Sequence, residues 1–254
     1  MDKDSISIVV LSFDKYHELW KPFFDYFFKS WPKCPYPIYL LNNFRMYNDK
    51  RIINLLVGDD LTWSNSLYLG LNKIKSQRVI FFYDDTFIEK IDFKRLYKSI
   101  EFIKKNNIKS LTLRPNYFAD FKNEFSLIPK NALYRTALFA NIIEREYLIT
   151  ILNRAENAWE FEKIGNLRST NENFYSTNVE IFKYKHGIIK GFWLRKTYRL
   201  LISQGYTFNI LKKKFSFYQN VINQTKEVIF KSYLKYTPNS IIQKIEKYRN
   251  FNND

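Results

Sequence analysis

Cysteine is almost absent from this sequence, because Cys34 is the single cysteine among 254 residues. One cysteine excludes a disulfide within the chain, and it excludes a zinc site built from several cysteines of one chain. Disulfides are typical of oxidising compartments, so we expect a protein of a reducing compartment.

Long apolar runs are also missing. The first apolar stretch, ISIVVLSF, covers only residues 6–13, whereas a membrane-spanning helix needs roughly 20 residues. Acids as well as a lysine precede this stretch, unlike the basic start of a secretory leader. The sequence therefore predicts a cytoplasmic protein whose first apolar run is a buried strand.

Glycine and proline are scarce, with six and seven residues respectively. Collagen-like and low-complexity architectures are thereby excluded. The chain has no GxGxxG pattern and no P-loop lysine pattern, which argues against dinucleotide-binding and ATP-hydrolysing proteins. The length fits one catalytic domain with an appendage.

Acids are outnumbered by bases, and the net charge is +16. Such an excess attracts polyanions, namely nucleic acid, anionic lipid or nucleotide phosphates. The position of the charge along the chain has to decide between these partners.

Strand-like runs alternate with helical patterns over much of the chain. Continuous apolar, β-branched runs predict buried strands at 6–13, 37–43, 52–58, 78–85 and 110–114, with a late strand at 179–184. Apolar residues at helical spacing predict helices at 16–30, 62–76, 93–106 and 145–153. This order predicts an α/β fold, a mainly parallel sheet flanked by helices.

Polar and acidic residues follow several of the predicted strands. Ligands of open α/β sheets bind beyond the carboxyl ends of the strands, where the strand order reverses. The strand ends therefore predict one ligand-binding set: Ser12, Phe13, Asp14, Asn42, Asn43, Asp59, Asp60, Asp84 and Asp85.

Tyr83-Asp84-Asp85 is the strongest of these motifs. Carboxylates held rigidly at a strand end suit a divalent ion that bridges a diphosphate, so both acids are candidate metal ligands, and one of them is a candidate for ribose binding. His186 follows the late strand and is a candidate third ligand. The alternatives are a solvated Asp pair that opens a turn and a structural loop histidine.

The segment Ala158-Trp159-Glu160-Phe161-Glu162 offers a candidate general base. A carboxylate can take the proton of an acceptor hydroxyl, and aromatic neighbours supply a sugar-stacking face and a drier site that raises the pKa of the acid. Asn157 and Glu160 have the spacing of a capping box, which gives Glu160 a structural explanation. Glu162 is therefore slightly preferred as the base, and Glu160 remains the other candidate.

The segment 59–65 opens the helix before the acidic strand. Asp60 or Thr62 is the expected N-cap of that helix. The remaining polar and aromatic groups, Asp59, Trp63 and Asn65, are candidate contacts to a base or a ribose. Candidate cations for a diphosphate leaving group are Arg114, Arg135, Arg168 and Lys190.

Taken in order, ISIVVLSFDKY, FFKSWPKCPYPIYLLNN, DLTWSNSL, VIFFYDDTF and AWEFE resemble bacterial GT-A (Rossmann-like) glycosyltransferases of capsule or lipopolysaccharide synthesis, over roughly residues 5–195. The resemblance implies a nucleotide-sugar donor in the strand-end set. It also implies a divalent cation, Mn²⁺ or Mg²⁺, at the acidic pair, and an acceptor-side carboxylate in the WEFE segment. Asp84 and Asp85 would take the place of the family's Asp-x-Asp motif, but they are adjacent here.

The C-terminal segment 206–254 interleaves Lys and Arg with Phe, Tyr, Leu and Ile. We place a boundary near residue 205, with a GT-A-like catalytic domain at 1–205 and a basic amphipathic helical segment at 206–254. Such a segment is typical of a helix resting on an anionic membrane surface, which would place the protein at the inner face of the cytoplasmic membrane, near a saccharide or lipid-linked acceptor. An ordinary solvated helix packed on the core is the alternative.

Two rival functions belong to other classes. A basic nucleic-acid-binding protein would use the same cations and aromatic residues, but the aromatics concentrate in apolar runs and no RNA- or DNA-binding motif is present, so no nucleic-acid partner is expected. A non-catalytic assembly partner with a transferase fold is the second rival.

Overall fold

A computed structural model describes residues 5–59, 61–116, 118–119, 123–189 and 191–208. The strands are β1 (Ile6–Leu11), β2 (Ile38–Asn42), β3 (Ile52–Leu56), β4 (Arg78–Tyr83), β5 (Thr86–Ile91), β6 (Ser110–Thr112), β7 (Phe125–Ile128), β8 (Asn141–Glu144), β9 (Phe174–Thr177), β10 (Phe182–His186), β11 (Ile188–Ile189) and β12 (Phe192–Trp193). The helices are α1 (His17–Ser30), α2 (Trp63–Lys73), α3 (Phe93–Lys105), α4 (Arg145–Ile151), α5 (Ala158–Arg168) and α6 (Arg195–Ser203).

The central sheet has eight strands in the order β3-β2-β1-β4-β8-β6-β9-β7. Strands β3, β2, β1 and β4 are mutually parallel, while β8 runs antiparallel to both β4 and β6. The chain moves outward from β1 to β3 and then returns to β4 on the other side of β1. The strand order therefore reverses between β1 and β4.

Side chains of β1 alternate between two apolar layers, as expected for a strand buried on both faces. Ile8 and Val10 pack with α1 and α3, whereas Val9 and Leu11 pack with α2, α4 and α5. Helices therefore cover both faces of the sheet, which confirms the predicted α/β fold class. Within the described ranges, no helix has both the length and the apolar character needed to cross a bilayer.

A second, two-stranded sheet forms beside the first, where β5 pairs antiparallel with β10. Strand β5 begins directly after Asp84-Asp85 and packs against α1. This sheet therefore brings a late part of the chain to the acidic turn. The short hairpin of β11 and β12 follows β10.

The predicted elements of the N-terminal half are present, with ends that differ by a few residues. The predicted late strand at 179–184 is shifted and forms β10 instead. Of the predicted C-terminal segment, Tyr206 lies against α1, where its hydroxyl donates to Asp25 at 2.8 Å, and Phe208 packs on Trp193 and Tyr198. The remainder of that segment, 209–254, lies outside the described residues.

Candidate active site

Ser12 and Asp84 meet where the strand order reverses. Leu11 and Tyr83 are register partners in β1 and β4, so the residues that follow them lie side by side. The Ser12 hydroxyl donates to the Asp84 carboxylate, and Nε1 of Trp20 donates to the Ser12 hydroxyl at 2.6 Å. Ser12 is itself held by Trp20, so its hydrogen bond orients the Asp84 carboxylate.

The acidic pair lies in an environment that disfavours charge. Burial, followed by the charge of Asp85, raises the pKa of Asp84 well above its usual range. Burial also raises the pKa of Asp85 to about 7. Tyr16 lies near both acids, since burial and then their charges raise the pKa of its hydroxyl. A pair of carboxylates held in this way favours a cationic or hydrogen-bond-donating ligand.

Glu162 of α5 makes a side-chain hydrogen bond with the hydroxyl of Tyr83, the residue before the acidic pair. Burial raises the pKa of Glu162 to about 6, against the opposing effects of the Arg114 guanidinium and the Tyr83 hydroxyl. Burial, and then the charges of Glu162 and Asp85, raise the pKa of the Tyr83 hydroxyl. Glu162 and Asp85 are therefore both close to Tyr83.

Arg114 follows β6 and is the cation of this group. Its Nε is buried and has no hydrogen-bond partner in the described part of the chain. The Arg114 guanidinium lowers the pKa of Glu162 and of Tyr83, so it lies near both groups. Its role as a cation for a diphosphate leaving group stays a prediction.

His186 and Gly187 approach the acidic turn through the β5–β10 pair. His186 pairs with Thr86 in register, and the N–H of Gly187 donates to the backbone oxygen of Asp85 at 2.6 Å. The predicted third ligand is therefore close to the pair along the sheet. Its ring lies against Tyr184, with 5.1 Å between ring centroids.

A divalent ion at this turn would need several free oxygen or nitrogen ligands. Among the described residues, no group of three or more His, Cys, Asp or Glu side chains is arranged to hold a metal ion. One oxygen of Asp84 already accepts the Ser12 hydrogen bond. The ligand set of Asp84, Asp85 and His186 stays a prediction.

Glu160 has the structural role that its spacing suggested. Its carboxylate accepts the N–H of Asn157 at 2.7 Å, and the Asn157 side chain accepts the N–H of Glu160 at 3.0 Å. This is a complete capping box at the start of α5. The capping box accounts for Glu160, and Glu162 stays the preferred candidate base.

Asp14 and Asn42 hold a loop together in this structure. The Asp14 carboxylate accepts the backbone N–H groups of Phe44 and Arg45, each at 3.2 Å. The Asn42 amide donates to Asp14 at 3.3 Å and to the backbone oxygen of Arg45. These contacts fix the backbone after β2, and a contact of either side chain with a donor stays a prediction. Phe13 beside them is exposed.

The predicted ligand contacts of segment 59–65 have different surroundings in the structure. Asp59 is exposed at the loop surface, and Asp60 lies outside the described residues. Trp63 packs on Phe161, with ring centroids 5.7 Å apart. The Asn65 side-chain oxygen accepts two hydrogen bonds from the Arg154 guanidinium, at 2.9 and 2.7 Å.

Thr62 is the N-cap of α2, because its hydroxyl accepts the N–H of Asn65 at 3.1 Å. Thr62 also donates to the backbone oxygen of Arg154, and Ser64 donates its N–H to the backbone oxygen of Glu156 at 3.1 Å. These contacts fasten the start of α2 to the loop that precedes α5. The helix carrying Glu162 is therefore tied to the carboxyl edge of the sheet.

Two of the other candidate cations have structural partners. Arg135 is buried, and it donates to the backbone oxygens of Ser169 at 2.6 Å and of Glu172 at 2.5 Å. Arg168 makes a bidentate ion pair with Glu156, at 2.8 and 2.6 Å. Lys190 lies outside the described residues. Of the described candidates, Arg114 is the one beside the acids.

Sequence reasoning missed the roles of Trp20 and Gly187. Trp20 lies on the buried face of α1, where its apolar neighbours suggested packing alone. Gly187 had a weak signal, since it follows the predicted late strand at 179–184 by three residues and a glycine at a strand can mark a close backbone approach. A Cβ at this position would lie 2.7 Å from Cε2 of Phe87 and 3.3 Å from the backbone oxygen of Asp85.

No protein-family model matches this sequence, and no curated protein matches it significantly. Solved structures do resemble it. The crystal structure of residues 1–349 of TarS from S. aureus in complex with UDP-GlcNAc has a TM-score of 0.53 at 9% identity, over 93% of this chain and 68% of that chain. A crystal structure of S. aureus TarS has a TM-score of 0.52 at 12% identity, over 72% of this chain and 37% of that chain.

LgtC, a galactosyltransferase solved with donor and acceptor sugar analogues, has a TM-score of 0.43 at 9% identity, over 67% of this chain and 72% of that chain. In three TarS structures, the match to this chain covers 59%, 37% and 59% of the TarS chain. At these identities the likeness to TarS establishes the fold, which is GT-A (Rossmann-like) as the resemblance implied.

Proposed function

We propose that this chain is a nucleotide-sugar-dependent glycosyltransferase in which Glu162 is the general base. The observation that carries the proposal is that Glu162 hydrogen-bonds Tyr83, the residue before the Asp84-Asp85 turn, at the carboxyl end of β4 where the sheet order reverses. Ligands of open α/β sheets bind there. TarS, which shares the fold, was crystallised with UDP-GlcNAc.

The proposed reaction is a direct displacement with inversion. An acceptor hydroxyl attacks the anomeric carbon, its proton passes to the Glu162 carboxylate, and the bond from that carbon to the diphosphate oxygen breaks. The pKa of Glu162, raised to about 6 by burial, suits a base that is ionised at neutral pH and still accepts a proton. The protonated Glu162 then returns its proton to solvent.

Arg114 supports the leaving group in this scheme. The diphosphate gains negative charge as the bond breaks, and a guanidinium near Glu162 can stabilise that charge. Asp84 and Asp85 face the donor side and orient the ribose or the diphosphate. The Mn²⁺ or Mg²⁺ requirement implied by the resemblance stays a proposal, which rates with each ion and with a chelator would measure.

Trp159 is proposed to position the acceptor. It is 58% exposed and lies three residues before Glu162, so the two side chains are neighbours on the surface of α5. An exposed indole ring gives an apolar face on which a sugar ring can stack. The acceptor is accordingly proposed to be a saccharide, free or lipid-linked, of surface polysaccharide synthesis.

The membrane location is a separate proposal that depends on segment 206–254. The basic and apolar residues of that segment would hold the enzyme on the inner face of the cytoplasmic membrane. No step of the proposed chemistry depends on it.

A hydrolysis screen tests the proposed function. The full chain is incubated with UDP-, GDP- and CMP-linked sugars, each with Mn²⁺, with Mg²⁺ or with a chelator, and nucleotide release is measured beside the Glu162→Gln variant. We expect one nucleotide class to be cleaved, and the variant to bind that nucleotide in a thermal-shift assay without cleaving it. If no nucleotide shifts the melting temperature and none is cleaved, the non-catalytic assembly partner is the better description.

A further inference from the structure

The loop that follows β2, residues 44–51, displays large apolar side chains to solvent. Phe44 is 62% exposed and Met46 is 74% exposed, and Phe13 beside them is also exposed. Phe13 follows the carboxyl end of β1 and the loop follows that of β2, so all three lie at one edge of the sheet. Large apolar side chains grouped on one exposed surface are typical of an interaction site.

This exposure belongs to an ordered loop. At its start, the Asp14 carboxylate accepts the N–H groups of Phe44 and Arg45 at 3.2 Å. Further on, the Asn54 side chain accepts the N–H of Tyr47 at 2.8 Å and donates to the Tyr47 backbone oxygen at 3.1 Å. The backbone that carries the apolar side chains is therefore fixed from both ends.

Tyr47 also anchors the loop to helix α1. Its ring stacks on Phe24 with 5.0 Å between centroids and meets the edge of Trp20 at 6.3 Å. Tyr47 thus turns inward while the residues just before it turn outward. Because the Tyr47 ring is held in the core, the fold itself directs the side chains of Phe44 and Met46 toward solvent.

Exposed cations accompany the displayed side chains, namely Lys15, Arg45 and Lys50. Of the acids at the same edge, Asp14 accepts backbone N–H groups and Asp49 pairs with Arg51 at 2.6 Å, whereas Asp59 after β3 is exposed. Apolar and cationic groups are therefore interleaved on one surface.

We propose that this displayed surface, formed by Phe13, Phe44 and Met46 with Lys15, Arg45 and Lys50, docks on an anionic lipid bilayer. Apolar side chains enter the boundary between head groups and acyl chains, and cations bind the anionic head groups. A protein partner or a nucleic acid would meet the same cations, but the projecting phenylalanine and methionine are suited to insertion into an acyl layer. The surface is distinct from segment 206–254 and does not depend on the proposed chemistry.

The position of the displayed surface adds an orientation on the membrane to the proposed function, and this addition rests on that function. The displayed surface and the acidic turn lie at the same edge of the sheet, since both follow the carboxyl ends of neighbouring strands. Docking through this edge would face the site toward the bilayer. That orientation fits an acceptor held in the membrane by a lipid.

A fluorescent probe tests whether the loop itself enters the bilayer. Met46→Cys is made in a Cys34→Ser background, labelled with an environment-sensitive dye and mixed with vesicles of phosphatidylcholine, with or without phosphatidylglycerol. We expect a blue shift with the anionic vesicles, and no shift for a matched Leu127→Cys probe on β7. A chain that binds anionic vesicles while the Met46→Cys probe stays unshifted would overturn the proposal, as would a chain that binds neither kind of vesicle.

Vesicle co-sedimentation of the full chain supplies the second measurement. The double variant Phe44→Ser/Met46→Ser should lose about tenfold or more in affinity for anionic vesicles, because two apolar side chains no longer insert. The control, Tyr97→Ser/Leu127→Ser, also removes two exposed large side chains and should bind like the parent. Equal binding by both double variants contradicts the proposal, and loss of single-stranded oligonucleotide binding without loss of vesicle binding assigns the surface to nucleic acid instead.

A catalytically impaired variant separates this proposal from the proposed function. Glu162→Gln should bind anionic vesicles like the parent whether or not the chain transfers sugars. Failure of sugar-nucleotide cleavage therefore leaves the membrane result unaffected, and failure of vesicle binding leaves the cleavage result unaffected.

Discussion

Ser12 donates a hydrogen bond to Asp84 across the pair of strands between which the sheet order reverses. Trp20 of α1 donates to the same serine hydroxyl at 2.6 Å, so a chain of three side chains runs from the helix into the acidic turn. Asp84 is thereby held in one orientation, while its pKa is raised well above the usual range by burial and by Asp85. The turn contains a charge that the fold itself disfavours.

Replacing Asp84 by Asn should therefore stabilise the protein while weakening donor binding. A carboxyl group whose pKa is raised in the folded state makes stability fall as pH rises above its unfolded value. The amide removes that charge and still accepts the Ser12 hydrogen bond, so the free energy of unfolding should increase by about 0.5–2 kcal/mol near neutral pH. Urea denaturation with a chelator measures this, and a decrease instead would show that the charge is well compensated.

Replacing Glu162 by Gln should lower kcat by about 10²–10⁴-fold. The amide fills the same space but cannot take a proton, so nucleotide binding in a thermal-shift assay should persist. Glu160→Ala is the matched control, because it removes a carboxylate of the same helix that serves the capping box. It should cost about 1 kcal/mol of stability and leave kcat nearly unchanged. The opposite pattern would make Glu160 the base.

The rate should depend on pH through Glu162. Burial raises its pKa to about 6, and a general base works only when it is deprotonated. We therefore expect kcat/KM to rise about tenfold per pH unit below about 6 and to level off above it. A pH profile of kcat/KM measures this, and a rate that falls as pH rises through this range would exclude a carboxylate base at this position.

Replacing Gly187 by Ala should damage the fold around the acidic turn. The added Cβ would meet Cε2 of the buried Phe87 at 2.7 Å and the backbone oxygen of Asp85 at 3.3 Å. Overpacking of this kind costs about 1–3 kcal/mol, which thermal or urea denaturation can measure. Adding Phe87→Leu to the variant makes room and should restore part of the stability, whereas a Gly187→Ala variant as stable as the parent would show that the ring moves freely.

Replacing Trp159 by Ala should raise the KM for the acceptor and leave donor hydrolysis unchanged. The indole is 58% exposed, so its removal should change the free energy of unfolding by about 0.5 kcal/mol or less. Initial rates at varied acceptor concentration, once an acceptor is identified, make the measurement. Ile164→Ala removes another exposed apolar side chain of α5 and is the control. An equal effect of both variants would assign the loss to the helix surface in general.

The parallel half of the sheet was predictable because its strands are continuous apolar runs. Such runs, separated by helical patterns, are enough to predict buried parallel strands. Of the strands that were missed, β7, β8 and β9 have four residues each, and β5 has six but pairs with β10, which is about 90 residues later in the sequence. Their strand conformation depends on long-range pairing, which local hydrophobic periodicity does not report.

The meeting of Asp84, Asp85 and Glu162 around Tyr83 was predictable in part. The strand-end rule identified the acidic pair, and the aromatic context favoured Glu162 over its neighbour. The expectation that strand-end residues contact a ligand did not include the binding of backbone N–H groups by Asp14. The positions of loop N–H groups cannot be predicted from the pattern of side chains in the sequence. The strand-end rule also could not separate Arg114, which lies at the acids, from Arg135, which is buried in the core.

The pairing of β5 with β10 has a consequence for synthesis of the protein. Asp85 and Gly187, whose N–H holds the Asp85 backbone oxygen, are separated by about 100 residues, which take roughly 5–20 s to leave a ribosome at typical rates. During that interval β1 and β4 can already pair, but β5 still lacks its strand partner. A nascent or truncated chain that ends before β10 therefore cannot set the acidic turn, and the site takes its final form only when the last strands dock.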